Sequence, residues 1–270
     1  MIIVYIILLL IILLENSNSL KIFMNSNKRN VVVIGSTGKT GYQIVKALIS
    51  SNKLNSDDDS QIVVTATCRD LSKGRLLYGA DNMNNIQCVP LDIANDSSNR
   101  MTQIFENADS IIIASGAIGL QESYKVDNIG NKKIIDAAIS CKVRKIILVT
   151  SLLTSGLESG QLLNPQYLLL NLFGGLLINK RQAELYLESK KNEIDFTIIR
   201  PGGLSNVDDK TAIKIAKMNT FFNGSISRSQ VADVVVNALK CKSEAKHKIF
   251  EIVSSKEPLQ ESMLESFKKI

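Results

Sequence analysis

The chain has 270 residues, 45% of them apolar and 21% charged, with a formal net charge of +6. This is enough apolar material for one α/β domain with a full core, and the scattered basic residues, without aromatic interleaving, argue against a nucleic-acid binder. The single histidine, His247, and four cysteines without ligand or redox spacing (Cys68, Cys88, Cys141, Cys241) argue against a zinc site or a histidine-based triad; no metal is expected, and the thiols read as free and buried.

Met1 to Leu14 is an unbroken apolar run followed by polar ENSNS. It is too short for an ordinary membrane span and has the length of a signal-peptide core. Residues 1–28 are therefore set apart as a targeting leader. It leads into the secretory route or forms the first half of a two-part plastid address. An uncleaved anchor and translation from Met24, which leaves a cytosolic protein, are the alternatives. No stable membrane span is expected once the leader is removed.

From residue 29 onward, short β-branched runs alternate with helical stretches. The strand-like runs are 31–34, 62–67, 86–90, 110–114, 145–150, 195–200 and 248–253. Helices are predicted over Gly38–Ser51, Ser72–Tyr78, Ser98–Phe105 with Ser98 as its cap, Tyr124–Cys141, Gly174–Lys190 and Arg228–Leu239. Apolar runs without strict alternation suit strands covered on both faces. The expected fold is a single doubly wound Rossmann domain, α/β, with a mainly parallel sheet of about seven strands and a small substrate lobe built from loops. Ser227 and Gln230 form a capping-box pattern. The stretch from Leu152 to about Phe173 reads as irregular and apolar, a lining for a flat hydrophobic substrate, a lid, a partner surface, or a loop helix packed on the core.

VVVIGSTGKTG (31–41) combines three glycines with Gly-Lys-Thr. A triphosphate-wrapping loop needs its first glycine where Val33 stands, inside the strand, so that reading fails. The register Gly35-x-x-Gly38-x-x-Gly41 works instead. Gly35 allows the tight turn, Gly38 a close approach to a pyrophosphate, and Gly41 close helix packing, with the anion at the helix start. The second strand ends Thr67-Cys68-Arg69-Asp70. An arginine there suits the 2′-phosphate of NADP(H); an ordinary solvated arginine is the alternative. Asp57–Asp59 precedes that strand and is set aside as a decoy.

GSTGKTG, CRD, VPLDIAND, IIIASGA, VDNIGNKKIIDAA, ILVTS, NKRQAE and DFTIIRPGGL occur in order after successive strands. As a set they resemble the atypical short-chain dehydrogenase/reductases of the NAD(P)H-binding, NmrA-like branch, similar to small plastid NAD(P)-binding proteins. The resemblance covers about residues 30–255. It implies that Gly35, Thr37, Gly38 and Lys39 form the pyrophosphate turn, and that Asp92 faces the adenine. It implies that Ala114, Ser115 and Gly116 pass under the cofactor, with Asn128 in the following helix. Pro201, Gly202 and Gly203 then flank the nicotinamide. Ser151 matches the family's catalytic serine and Lys180 the lysine that holds the nicotinamide ribose. Plainer alternatives stand beside these: Asp92 as a turn cap, Ser151 bonded to backbone, and Lys180 as a surface lysine.

The family's Tyr-x-x-x-Lys pair is broken, because Leu176 stands four residues before Lys180. Tyr186 and Lys190 have the right spacing but lie at the wrong end of a crossover helix, and Tyr167 is not fixed near the site by anything in the sequence. Gln230 also departs from the family, which often places Asp there, and this leaves the role of Arg228 open. Without the tyrosine, carbonyl reduction is disfavoured, whereas a flat conjugated acceptor such as a flavin or quinone spreads charge and takes its proton from water. The expected function is NADP(H)-dependent reduction of such an acceptor. The alternative is a non-catalytic NADP(H)-binding tether or sensor that meets a partner protein through the apolar 152–173 loop.

Overall fold

The computed structural model describes residues 28–54, 61–79, 85–117, 119–172, 174–207, 211–241, 243–257 and 262–270. Nearly all of the leader and the Asp57–Asp59 run lie outside them. The chain opens with β1 (Lys28–Ile34), α1 (Lys39–Leu54), β2 (Gln61–Cys68), α2 (Leu71–Gly79), β3 (Ile86–Pro90), α3 (Ser98–Phe105) and β4 (Ser110–Ile113). A continuous helical stretch follows: α4 (Leu120–Ser123), a π-helical segment (Tyr124–Gly130) and α5 (Asn131–Ser140). The second half holds β5 (Lys145–Val149), α6 (Pro165–Leu172), α7 (Leu176–Ser189), β6 (Asp195–Pro201), β7 (Gly203–Ser205), β8 (Ala212–Lys217), β9 (Ser225–Ser227), α8 (Arg228–Lys240), β10 (Lys248–Ser255) and α9 (Met263–Lys269).

Eight strands form one sheet in the order β3-β2-β1-β4-β5-β6-β10-β8, and β7 pairs with β9 separately. All ladders of the main sheet are parallel except β10 with β8. This is a Rossmann fold, with one strand more in the sheet than the apolar runs announce. The extra strand, β8, is AIKIAK, whose lysines give it the half-polar pattern of an edge strand. Alternate residues of β1 serve opposite faces. Val31 and Val33 join α1 and α8 in one core, while Val32 and Ile34 join α3, α5 and α7 in the other. A third, smaller core gathers Leu152, Leu153, Tyr167, Leu177 and Val253 with Phe221 and Phe222. It is the centre of the loop-built lobe. The segment read as irregular contains α6, and the Tyr167 ring packs where a side chain on Gly156 would otherwise stand, so this tyrosine is part of the lobe's core.

Local details differ in small ways. Ser97, not Ser98, caps α3, accepting from the Arg100 N–H at 3.3 Å. Ser227 and Gln230 form the expected capping box. Gln230 also donates to the Thr211 carbonyl and accepts from Ser254, so an amide side chain suits that position for structural reasons. Cys68 is buried and the other three free thiols are half-buried.

Lys145, at the start of β5, is buried and donates to the Ala238 and Cys241 carbonyls at 2.6 and 3.3 Å, closing the end of α8. Burial, helped by the nearby Arg29 charge, lowers its pKa from 10.5 to about 8. The unfolded chain therefore holds this proton more tightly between pH 8 and 10.5, so the lysine's contribution to stability rises with pH across that window. Denaturant unfolding at pH 7.5 and 9.5 checks this. Wild type is expected to gain on the order of 1–2 kcal/mol relative to Lys145→Met between the two pH values. A constant difference refutes the assignment.

Candidate functional site: the carboxyl edge of the sheet

In an open parallel sheet, ligands bind beyond the carboxyl ends of the strands, where the strand order reverses. Here that point lies between β1 and β4. Gly35 leaves β1 with φ +77, a backbone state that suits glycine. A methyl on it would stand 2.8 Å from the Ser115 Cα, so the turn and the loop after β4 touch through this glycine. A methyl on Gly41 would stand 2.2 Å from the Gly35 carbonyl oxygen, so α1 rests directly against the turn. Between them Thr37 is half-buried, and Gly38 and Lys39 are exposed. The first turn of α1 carries no acid, which leaves its dipole free to favour an anion.

The turn is held from behind. The buried Ser36 donates to the Thr67 carbonyl through both its N–H (3.3 Å) and its Oγ (2.8 Å). Thr67 Oγ1 donates to the Val33 carbonyl at 3.2 Å, and Tyr78 Oη donates to the Ser36 carbonyl at 2.6 Å. Burial, only partly offset by this hydrogen bond, pushes the Tyr78 phenol well above its usual range.

Arg69 and Asp70 are exposed at the end of β2. Asp70 caps α2, accepting from the Ser72 and Lys73 amides at 2.8 and 3.3 Å. Asp92 closes its own turn by accepting from the Ala94 amide (3.0 Å) and from Asn95 Nδ2 (2.9 Å). Burial alone would raise its carboxyl; these hydrogen bonds and the nearby Arg69 charge leave it below the usual carboxylate value. The turn-cap alternative describes its contacts.

Among the described residues, five buried side-chain atoms have no hydrogen-bond partner, and two of them, Ser115 Oγ and Asn128 Oδ1, belong to residues that the family resemblance sets along the cofactor. Buried polar atoms are rarely left so, and each calls for a ligand or water. Ser115 adjoins the Gly35 turn. A dinucleotide's ribose hydroxyls and phosphate oxygens supply the donors and acceptors these two atoms lack, so the residues fit a nicotinamide dinucleotide. Lys180 is not a surface lysine. It is 9% exposed and its Nζ lies 2.6 Å from Oδ1 of the fully buried Asp127. The pair sits beneath Gly116, where an added methyl would meet Nζ at 3.4 Å and Oδ1 at 3.6 Å. Asp127 Oδ2 also accepts from the Ala117 amide at 3.2 Å. Asp127 was missed by the sequence reading, although it adjoins Asn128. π-helical turns are frequent at functional sites, and this one carries the buried Asp127.

Ser151 follows β5 and is half-buried; among the described residues no hydrogen bond joins it to Lys180. Pro201 ends β6, and its carbonyl accepts from the Leu152 amide at 2.9 Å. A methyl on Gly202 would stand 2.7 Å from the Gly224 carbonyl oxygen, so this glycine packs two loops together, while Gly203 is exposed. Tyr186 donates to Asp136 at 2.6 Å, with Lys190 Nζ 5.8 Å from its ring centroid, an arrangement on the outer face of α7. Arg228 donates to the Leu204 carbonyl and to Asn206, holding the strand after β6.

A buried charge network behind Ser151 also escaped the sequence reading. Arg200, fully buried in β6, donates to both oxygens of Glu184 (3.1 and 2.6 Å) and to Ser155 Oγ (3.0 Å), and lies 3.6 Å from Glu251. Glu184 accepts from Thr150 and Thr154, and Glu251 from the amides of Asn219, Thr220 and Phe221. Arg181 clasps Glu158 with two bonds of 2.8 Å. Both walls of the lobe thus hang on Arg200. The signals were there in NKRQAE and IIRPGG, but nothing local showed that Arg200 and Glu184 face one another.

Comparisons with known proteins agree with this geometry. A family model described as NAD(P)H-binding matches residues 35–242. An uncharacterized chloroplastic protein of Arabidopsis thaliana is 36% identical over 245 residues, 90% of this chain and 82% of that protein. Sanguinarine reductase of Eschscholzia californica is 36% identical over 146 residues, 53% of this chain and 50% of the reductase. A short-chain dehydrogenase/reductase of Veillonella parvula, solved in complex with NADP, shares the fold with a TM-score of 0.64 at 18% identity, covering 85% of this chain and 98% of that one. With its glycine turn, switch-point crevice and matched length in accord, the chain belongs to the NAD(P)H-binding family of Rossmann proteins.

Proposed function

We propose that the protein is an NADP(H)-dependent reductase that passes hydride to a flat, conjugated acceptor of the flavin or quinone class, working in a plastid. The observation that carries this reading is the state of the proton-donor position. Leu176 stands where the family places tyrosine, and Lys180 is held in a buried pair with Asp127. An acceptor that delocalises its charge is the substrate such a site suits. Likeness to a reductase and to a chloroplastic protein supports the activity and the compartment.

When bound, the nicotinamide supplies the hydride. The chain's own groups do the rest. The Gly35–Lys39 turn and the start of α1 hold the diphosphate. Ser115 and Asn128 meet the ribose. Lys180, aimed by Asp127, keeps a positive charge beneath Gly116 at the nicotinamide end, and Ser151 offers a hydroxyl on the acceptor side. No residue between Ser159 and Asn179 is charged, so the lobe sets an apolar wall against the acceptor. Steady NADPH oxidation by the leader-free protein with riboflavin and quinones tests the reading; nucleotide binding without turnover above free NADPH overturns the reductase.

Arg69 is assigned the 2′-phosphate, because Asp70 is engaged at the start of α2. Arg69→Ala is expected to weaken NADPH binding by about tenfold to a hundredfold, the range of a charge-assisted contact, with little change for NADH. Titration calorimetry with both nucleotides decides, and equal losses refute the assignment.

A non-catalytic NADP(H)-binding tether is the second reading. It is favoured by the leucine face around α6, where Leu163 is 83% and Leu172 is 72% exposed beside Leu162, Leu168 and Leu169. Pull-downs with and without NADPH test it; capture of the same partners by a variant with these leucines changed to serine overturns it.

A further inference from the structure

We propose that Tyr78, a residue of α2, positions the cofactor: its hydroxyl aims the Thr37 amide at the diphosphate. The proposal rests on the NADP(H)-binding reading above.

The argument begins with peptide geometry. Among the described residues no peptide bond is cis. In a planar trans unit the carbonyl of one residue and the N–H of the next point in opposite directions. Tyr78 Oη donates to the Ser36 carbonyl at 2.6 Å, and the ring is only 4% exposed. The carbonyl is thereby drawn inward, toward α2. The Thr37 N–H, on the same peptide plane, must face away from α2, to the open side of the turn where Gly38 and Lys39 are exposed. Ser36 cannot swing to relieve this, because its N–H and Oγ both donate to the Thr67 carbonyl. The Gly38 N–H instead turns back to the Gly35 carbonyl at 3.0 Å. The amide of Thr37 is thus set outward, and a side chain forty-two residues from Ser36 sets it.

The position of α2 gives the contact a second consequence. Asp70 caps the start of this helix and Arg69 immediately precedes it, while Tyr78 lies one residue from its end. A helix of 9 residues, which begins two positions after the arginine assigned to the 2′-phosphate, thus carries the residue that orients the diphosphate turn. Gly74, in its middle, lets the helix settle onto the Cys68 and Cys88 sulfurs, which would lie 2.8 and 3.4 Å from an added methyl. The two ends of the adenosine diphosphate moiety are assigned to different residues, Arg69 before α2 and Tyr78 near its end, so their effects separate by mutation.

The experiment uses the leader-free protein and measures dissociation constants for NADPH and NADH by titration calorimetry, for wild type and Tyr78→Phe. Phenylalanine keeps the packed ring and removes only the hydroxyl. Both constants are expected to rise about tenfold, with their ratio unchanged, because both nucleotides carry the same diphosphate. Unchanged constants, or a loss confined to NADPH, overturn the proposal. Wild type that binds neither nucleotide overturns the cofactor reading itself, a separate result. Amide NMR of the wild type, titrated with inorganic pyrophosphate, gives a measurement free of any folding defect in the variant. The Thr37 resonance is expected to move downfield; a stationary Thr37 signal while Lys39 and Thr40 shift overturns the assignment.

Discussion

Arg200→Met is expected to lower the stability of the protein by about 3–5 kcal/mol, the cost of stripping one partner from a buried ion pair. Arg200 and Glu184 are both fully buried, and Arg200 is the largest fully buried side chain among the described residues. Without it the Glu184 carboxylate keeps only hydroxyl partners and Arg181, and Glu251 loses the cation at 3.6 Å. Methionine fills much of the volume, so the loss reports charge rather than a cavity. The double variant Arg200→Met/Glu184→Met removes the stranded charge and is expected to recover part of the loss, since apolar replacement of a whole buried pair is often tolerated. Urea unfolding measures all three proteins. A single variant within 1 kcal/mol of wild type would show that this network is not what suspends the lobe.

The second large effect belongs to the glycine turn. Gly41→Ala places a methyl 2.2 Å from the Gly35 carbonyl oxygen, 2.8 Å from its carbon and 3.0 Å from the Ser36 Cα. All three are backbone atoms, so relief requires α1 to move off the turn. The expected cost is about 2–3 kcal/mol of stability, as for overpacking in a filled core, and at least a tenfold loss of affinity for both nicotinamide nucleotides, because the amides at the helix start move with it. Gly79→Ala is the control. It ends α2, and nothing lies within 4 Å of the position its methyl would take, so it is expected to leave stability and binding unchanged. If Gly41→Ala behaves like Gly79→Ala, the close approach of helix and turn plays no part in binding.

The features that sequence reading placed well are those of local backbone and cap geometry. The Gly35–Gly41 register, the seven apolar strands and the Ser227–Gln230 cap each announce themselves within a few residues, through backbone freedom, apolar run length or side-chain reach. The residues it missed act across the chain. Arg200 meets Glu184 and Glu251 only after three elements have packed, and each looks alone like an ordinary surface charge. Tyr78 sits in a helix of mixed composition and shows its purpose only where its phenol reaches the β1 turn. Asp127 differs from its neighbour Asn128 by one position, and only the π-helical phase decides which of the two meets Lys180. The edge strand β8 went unread because Lys214 interrupts its apolar residues and Lys217 ends it, the trait that suits an outer strand.

That trait bears on self-association. At one margin of the sheet β8 carries Lys214 and Lys217. At the other, β3 ends in Pro90, which has no amide hydrogen to offer a newcomer. Charged and imino residues of this kind keep neighbouring copies from stitching their strands into a shared ribbon. Growth into fibrils by lateral addition is thus discouraged on both flanks of the sheet.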